Sequence, residues 1–272
     1  MNNINIRTPY LDKIGSIYPE DSIERRLIKL YLYYEDFVHP QVINIFSDAS
    51  MNIIGNNVAK AGCYGFVTYC GEQELNHGVF IDSMNTTVNR CEVKGLKKAV
   101  CEAIRLRLDG FTGMINIFSD SQVALLGLRD WIFNWKVSGE TLINKSGIPV
   151  SNQSEYIEIV RLIIKYNPNV NLYHQKGHVK PNGQDKNSYE YARKLFSDVN
   201  VPYINPKNID MRIIAYISNK NDRIDYLTRW HLFNTACYNV DYTDPFTFTI
   251  GPEFQREIHT YNMVTGRRNH NV

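Results

Sequence analysis

No pair of cysteines in this sequence has the C-x-x-C spacing, and the five present (Cys63, Cys70, Cys91, Cys101, Cys237) are odd in number. A disulfide framework is therefore not expected, and a reducing compartment is the simpler setting. No run approaches the roughly 18 consecutive apolar residues of a membrane helix. The first residues, Met-Asn-Asn-Ile-Asn-Ile-Arg, lack the basic region and apolar core of a secretory signal. These absences point to a cytoplasmic protein without a membrane partner, and a monomer is the expected state. An excess of one charge is missing too: 30 basic against 28 acidic residues leave a formal net charge of +2. On average composition, nothing announces a polyanion ligand.

What is present is enough apolar residue (43%, against 21% charged) to exclude a disordered or fibrous chain of this 272-residue length. A helix is expected from about residue 21, with Ile23, Leu27, Leu30, Tyr31 and Tyr34 at helical spacing and Pro40 as its stop. Strands are expected at 42–46, 64–70 and 78–81, the last two joined by the polar turn at 71–74. A helix at 91–108 follows, with Val93, Leu96, Val100 and Ile104 on one face, then a strand at 115–118. Helices are expected at 122–135 and 154–166, the second with a ridge of Tyr156, Ile159, Val160 and Ile163, and a strand at 170–173. Residues 179–219 read as irregular, with a short helix at 188–196 and an apolar stretch at 211–217. A last helix is expected at 221–233, and the tail from 238 carries Pro245, Gly251 and Pro252, its end mobile. Three strands followed by alternating helices and strands indicate a mixed α/β sheet.

The strongest internal signal is a repeat. Ile43-Asn44-Ile45-Phe46-Ser47-Asp48 recurs as Ile115-Asn116-Ile117-Phe118-Ser119-Asp120. If the two strands are parallel neighbours, Asp48 and Asp120 emerge side by side at one edge of the sheet. Two bare carboxylates there repel each other, and a hard divalent cation that prefers carboxylate oxygens resolves the conflict. Equally, aspartate often ends strands for reasons of turn chemistry alone. Glu92 opens a helix, where an acidic residue also suits the helix dipole. Asp225 has Arg229 four residues on, the spacing of an ordinary surface ion pair.

With their surroundings, these residues resemble type 1 ribonuclease H. Phe46-Ser47-Asp48-Ala49-Ser50 is similar to the first-strand motif of that family, and Thr86-Thr87-Val88-Asn89-Arg90-Cys91-Glu92 to its T-T-N-N-R-x-E segment. Ser119-Asp120-Ser121-Gln122 matches S/T-D-S-Q. Trp131-Ile132-Phe133-Asn134-Trp135-Lys136 resembles the W-I-x-N-W-K of members with a basic protrusion. Lys176-Gly177-His178 and the segment from Asn221 to Arg229 complete six matches in the family's order. Departures exist: Val88 stands where the family has a substrate-holding asparagine, residues 51–57 replace its Gly- and Pro-containing turn, and about forty extra residues separate His178 from Asp225.

The resemblance implies an RNase H-like mixed five-stranded sheet flanked by helices. The catalytic domain would span 41–238 with an insertion at 179–219, between an extension at 1–40 with one helix and another at 239–272. It implies an endoribonuclease that hydrolyses the RNA strand of RNA–DNA hybrids, leaving 5′-phosphate and 3′-hydroxyl ends. Two Mg2+ ions (or Mn2+) would be held by Asp48, Glu92, Asp120 and Asp225, with His178 assisting proton transfer or product release. Thr87, Asn89, Gln122, Trp131, Trp135 and Lys136 would bind substrate, the two tryptophans sharing a helix face. Another nucleic-acid substrate and a non-catalytic binding module are the alternatives. The balanced net charge also conceals segregation: residues 94–107 carry five basic side chains against Glu102, and residues 160–186 carry five against Asp185.

Overall fold

The computed structural model describes residues 34–54, 59–82, 86–175, 211–235 and 253–265. Met1–Pro40 with His178–Asn219 form one unit, and Gln41–Gly177 with Lys220–Val272 form another. The described part of the first unit is α1 (Tyr34–Phe37) and the opening of the helix Met211–Thr235. There Phe37 and Tyr216 meet edge to face at 5.1 Å, and Arg212 pairs with Glu35 at 2.9 Å. The helices expected near residues 21–33 and at 188–196 lie outside the described residues.

In the second unit, β1 (Val42–Ile54), β2 (Ala59–Cys70) and β3 (Gln73–Asp82) form an antiparallel meander. After α2 (Val88–Leu108), β4 (Met114–Ser119) pairs parallel to β1. Further on, β7 (Val170–His174) pairs parallel to β4, giving the order β3-β2-β1-β4-β7. This is the expected mixed five-stranded α/β sheet. Residues 42–48 and 115–119 are buried throughout, so these central strands are covered on both faces, with Asn44, Ser47, Asn116 and Ser119 buried among their apolar side chains. β1 continues to Ile54, well past the short strand the sequence suggests. The reason is its partner: every residue from 43 to 54 faces one in β2.

The flanking helices are set by capping and apolar ridges. Thr87 caps α2, its hydroxyl accepting from the Arg90 N–H at 3.2 Å, while Arg105 and Arg107 complement the negative helix end. Ser121 caps α3 (Gln122–Arg129) in the same way. The single helix expected over 122–135 is not formed. At Asp130 the backbone leaves the helical region (φ −130°), a 3₁₀ turn follows at Trp131–Asn134, and Trp135 is extended. The break lets Ile132 and Trp135 both reach the core, so the two tryptophans do not share a helix face. A small hairpin, β5 (Lys136–Ser138) and β6 (Thr141–Ile143), turns at Gly139, whose φ of +61° suits glycine.

α4 (Gln153–Tyr166) buries the expected ridge plus Ile157. α5 (Met211–Thr235) is one continuous helix where a separate apolar stretch and helix were expected. α6 (Phe254–Val264) lies in the tail, where no helix was expected. It buries Phe254, Ile258 and Tyr261 in the main core, the Tyr261 hydroxyl donates to the Leu128 carbonyl at 3.3 Å, and Glu257 meets Arg161 at 2.9 Å. Among the described residues, no helix is long and apolar enough to cross a membrane.

Candidate active site

The repeat pairs with itself in register: Ile43 faces Ile115, Asn44 faces Asn116, Phe46 faces Phe118 and Ser47 faces Ser119. The parallel pairing ends at Ser47 and Ser119, so the next residue of each, Asp48 and Asp120, comes at the same end of that pairing, while β1 itself runs on against β2. Asp48 is buried, and its Oδ1 accepts from the Ala49 N–H at 2.7 Å. Asp120 is partly exposed, and its carbonyl lies 3.2 Å from His174 Nε2.

Glu92 arrives from the first turns of α2. Gly95 on the same helix lets this approach occur: a Cβ there would sit 3.2 Å from the Asp48 carbonyl oxygen. One carboxylate oxygen from each of Asp48, Glu92 and Asp120 can lie within 4.8 Å of the others. Asp225, on α5, has 16% side-chain exposure and pairs with Arg229 at 2.8 Å. It acts electrostatically on both Asp48 and Glu92. Thr228, one turn along, meets the Ser50 hydroxyl at 2.8 Å and ties α5 to β1 beside the cluster.

This concentration of like charge is costly when bare. Burial, first, and then the charge of Asp120 hold the Asp48 carboxyl well above the usual carboxylate range; the Ala49 N–H opposes them, and Asp225 (raising) and Arg229 (lowering) add smaller effects. Burial, then Asp48, Asp120 and Asp225, hold Glu92 high as well. Glu92 Oε2 is buried without a hydrogen-bond partner, a state that calls for a specific reason, of which a bound ion is one. A hard divalent cation fits these observations: oxygen donors only, converging, and short of positive charge.

The other expected residues divide. Thr87 and Gln122 are exposed at the N-terminal ends of α2 and α3. Asn89 lies between Thr87 and Glu92, and its Oδ1 is buried without a partner. Trp131 (42% exposed) and Lys136 are at the surface. Trp135 is not: it is 5% exposed and packs edge-on against Tyr156 at 5.1 Å, so its expected place on a substrate-facing surface is corrected to the core. His178 lies outside the described residues. Two features were not singled out from the sequence. One is Arg229 as a positive charge near Asp48. The other is a buried ion pair between Asp82 and Lys94 at 2.6 Å behind the start of α2.

Comparison with known proteins identifies the family. The sequence pattern of the family described as RNase H matches residues 40–193, more than half of the chain. Ribonuclease HI of Haemophilus influenzae strain Rd is 35% identical over 141 residues, covering 51% of this chain and 80% of that one. Ribonuclease H of Haemophilus influenzae strain 86-028NP is 35% identical over 138 residues, covering 50% and 78%. Among solved structures, the crystal structure of LC11-RNase H1 in complex with RNA/DNA hybrid is 12% identical and covers 58% of this chain and 99% of that one, with a TM-score of 0.37. On its sequence match, this chain belongs to the RNase H family.

Proposed function

We propose that the protein is an endoribonuclease that hydrolyses the RNA strand of RNA–DNA hybrids to 5′-phosphate and 3′-hydroxyl ends. The observation that carries the reading is the convergence of Asp48, Glu92 and Asp120 at one sheet edge, in a chain of the RNase H family. Asp48, Glu92, Asp120 and Asp225 would hold two Mg2+ ions, with Mn2+ as a substitute. Bound there, such ions supply Lewis-acid stabilisation of the scissile phosphate and lower the pKa of the attacking water.

The chain's own groups do the rest. Burial of Asp48 and Glu92 keeps bulk water from competing for their oxygens and fixes where positive charge can settle. Asn89 and Gln122 carry amides that both donate and accept, the chemistry that distinguishes a 2′-hydroxyl from its absence. Thr87, exposed at the α2 cap, would meet a phosphate. Trp131 and Lys136, both exposed, would offer an aromatic face and a cation to the DNA strand. His178 would move a proton or speed product release.

The test is cleavage of labelled RNA–DNA hybrid, double-stranded RNA, single-stranded RNA and double-stranded DNA by the purified chain with Mg2+ or Mn2+. Cutting confined to the RNA strand of the hybrid, and lost in Asp120→Asn, is expected. Failure to cut the hybrid, or retained activity in Asp120→Asn, would overturn the function or the site respectively.

A further inference from the structure

The carboxylate of Asp82, at the end of β3, is buried at 3% exposure outside the acidic cluster, yet it gathers donors from the segment that carries Glu92. Oδ1 accepts from Lys94 Nζ at 2.6 Å, and Oδ2 accepts from the Thr86 hydroxyl. Arg90 Nε lies 3.7 Å from the same oxygen and reaches Glu155 of α4 at 2.9 Å. The Cys91 thiol points at Oδ2 from 3.9 Å. One carboxylate thus ties the end of β3 to Thr86, Arg90, Cys91 and Lys94, and through Arg90 to the first turn of α4. The charges of Asp82, Lys94, Arg90 and Glu155 sum to zero, so the group as a whole adds no net charge beside the site.

Its position matters because of what Glu92 lacks. Glu92 Oε2 has no hydrogen bond to hold it, and the charges it faces, Asp48, Asp120 and Asp225, all repel it. Its place therefore depends on where α2 is pinned. Arg90 and Lys94 are one turn apart, and Glu92 lies about 160–200° round the helix from them, on the opposite face. On that far side, the Gly95 backbone lies close against the Asp48 carbonyl. The start of α2 is thus held between Asp82 behind and the Asp48 backbone in front, with Glu92 carried into the cluster between them.

We infer that Asp82, acting through Lys94 and Arg90, is a positioning residue that holds Glu92 in cation-binding geometry against the repulsion of its neighbours. The inference rests on the metal reading of the cluster and goes beyond it, because none of these residues touches the proposed ions. A merely structural ion pair would contribute to folding and leave cation affinity alone.

The experiment separates the two by exchanging the pair for apolar groups of similar size, Asp82→Leu with Lys94→Met, a replacement that is often neutral for stability. Mn2+ binding to the full chain is followed by electron paramagnetic resonance, beside thermal melting without metal. The double variant is expected to melt within a few degrees of wild type yet bind Mn2+ about 10-fold more weakly, as loss of outer supports commonly does. Val100→Ala, in the same helix but away from the site, should lower the melting temperature and leave Mn2+ affinity unchanged. Wild-type affinity in the double variant, or a loss no greater than that of Val100→Ala, would overturn the positioning role. Absence of saturable Mn2+ binding in wild type would instead overturn the metal reading, and the inference with it.

Discussion

Phe46 and Phe118 stack across β1 and β4 with ring centroids 4.9 Å apart and planes 15° from parallel. The register that sets residue 46 opposite 118 also carries Asp48 and Asp120 to one edge two residues later. Tyr173 extends the stack from β7 at 5.3 Å. The repulsion at the edge is thus imposed by favourable packing further back. The sheet gains from aligning the strands, and strand direction delivers the carboxylates together.

Beside the aromatic stack runs a polar one. Asn116 Nδ2 donates to Asn44 Oδ1 at 2.9 Å, and Asn171 Nδ2 donates to Asn116 Oδ1 at 3.1 Å. Asn116→Val removes the donor to Asn44, which is fully buried, whereas Asn171 is partly exposed and can turn to water. The expected cost is about 1–3 kcal/mol. A loss in thermal or urea unfolding below about 0.5 kcal/mol would show that the ladder contributes little.

Removing a charge from the cluster should have opposite effects on stability and activity. Asp48→Asn keeps an acceptor for the Ala49 N–H and relieves both burial of charge and repulsion from Asp120. The metal-free variant is expected to be more stable by about 1 kcal/mol, or roughly 2–4 °C in melting temperature. Hybrid cleavage should fall by about two orders of magnitude or more, since several kcal/mol of transition-state stabilisation pass through the cation it would hold. Excess Mg2+ should raise the wild-type melting temperature more than that of the variant. A destabilised metal-free variant would contradict the electrostatic account.

The same groups dictate a pH dependence. Asp48 and Glu92 titrate above the usual carboxylate range when folded and near about 4 when unfolded. As pH rises past about 4, the unfolded chain loses these protons first, so the metal-free fold loses stability until the raised folded values are passed. Asp82 and Glu102 act in reverse. Burial alone would raise both, but hydrogen bonds and charge from Lys94, Thr86 and Arg90 for Asp82, and from Arg105 and Asn76 for Glu102, outweigh it. Their contribution is present above about pH 4 and lost as pH falls through their lowered folded values. Urea unfolding in chelator between pH 4.5 and 7.5 should show a decline in stability with pH that is shallower in Asp48→Asn. Equal slopes would contradict the assignment.

How far these features were legible in the sequence follows from the range of the interactions. The hexapeptide repeat displays β1 and β4, and parallel pairing alone converts it into two adjacent aspartates. Glu92 and Asp225 were legible only as members of an ordered set, because a helix-opening glutamate and an Asp225–Arg229 pair each have ordinary explanations, and that ion pair does form. The Asp82–Lys94 pair spans a strand end and a helix, and no local pattern marks it. α6 had a visible signal in Phe254, Ile258 and Tyr261 at helical spacing, masked by Pro245, Gly251 and Pro252 just before it. The break at Asp130 was not legible, since periodicity continues through it, whereas the burial of Ile132 and the packing of Trp135 on Tyr156 are long-range contacts.

That bend separates two residues that look alike in sequence. Trp135 is buried in the main core, so Trp135→Ala should cost about 3–5 kcal/mol of stability. Trp131 is 42% exposed, so Trp131→Ala should change stability by no more than about 0.5 kcal/mol. If the Trp131–Lys136 surface grips the hybrid, Trp131→Ala should weaken hybrid affinity by about 1–3 kcal/mol with little change in kcat, as loss of a stacking face does. Lys136→Ala should also weaken it and reduce the steepness of its salt dependence by about one phosphate contact. Binding is measured by fluorescence anisotropy with Ca2+ at several salt concentrations, and melting is measured in parallel. Unchanged hybrid affinity in both surface variants would remove this face from the substrate path, whereas a stable, fully folded Trp135→Ala would contradict its place in the core.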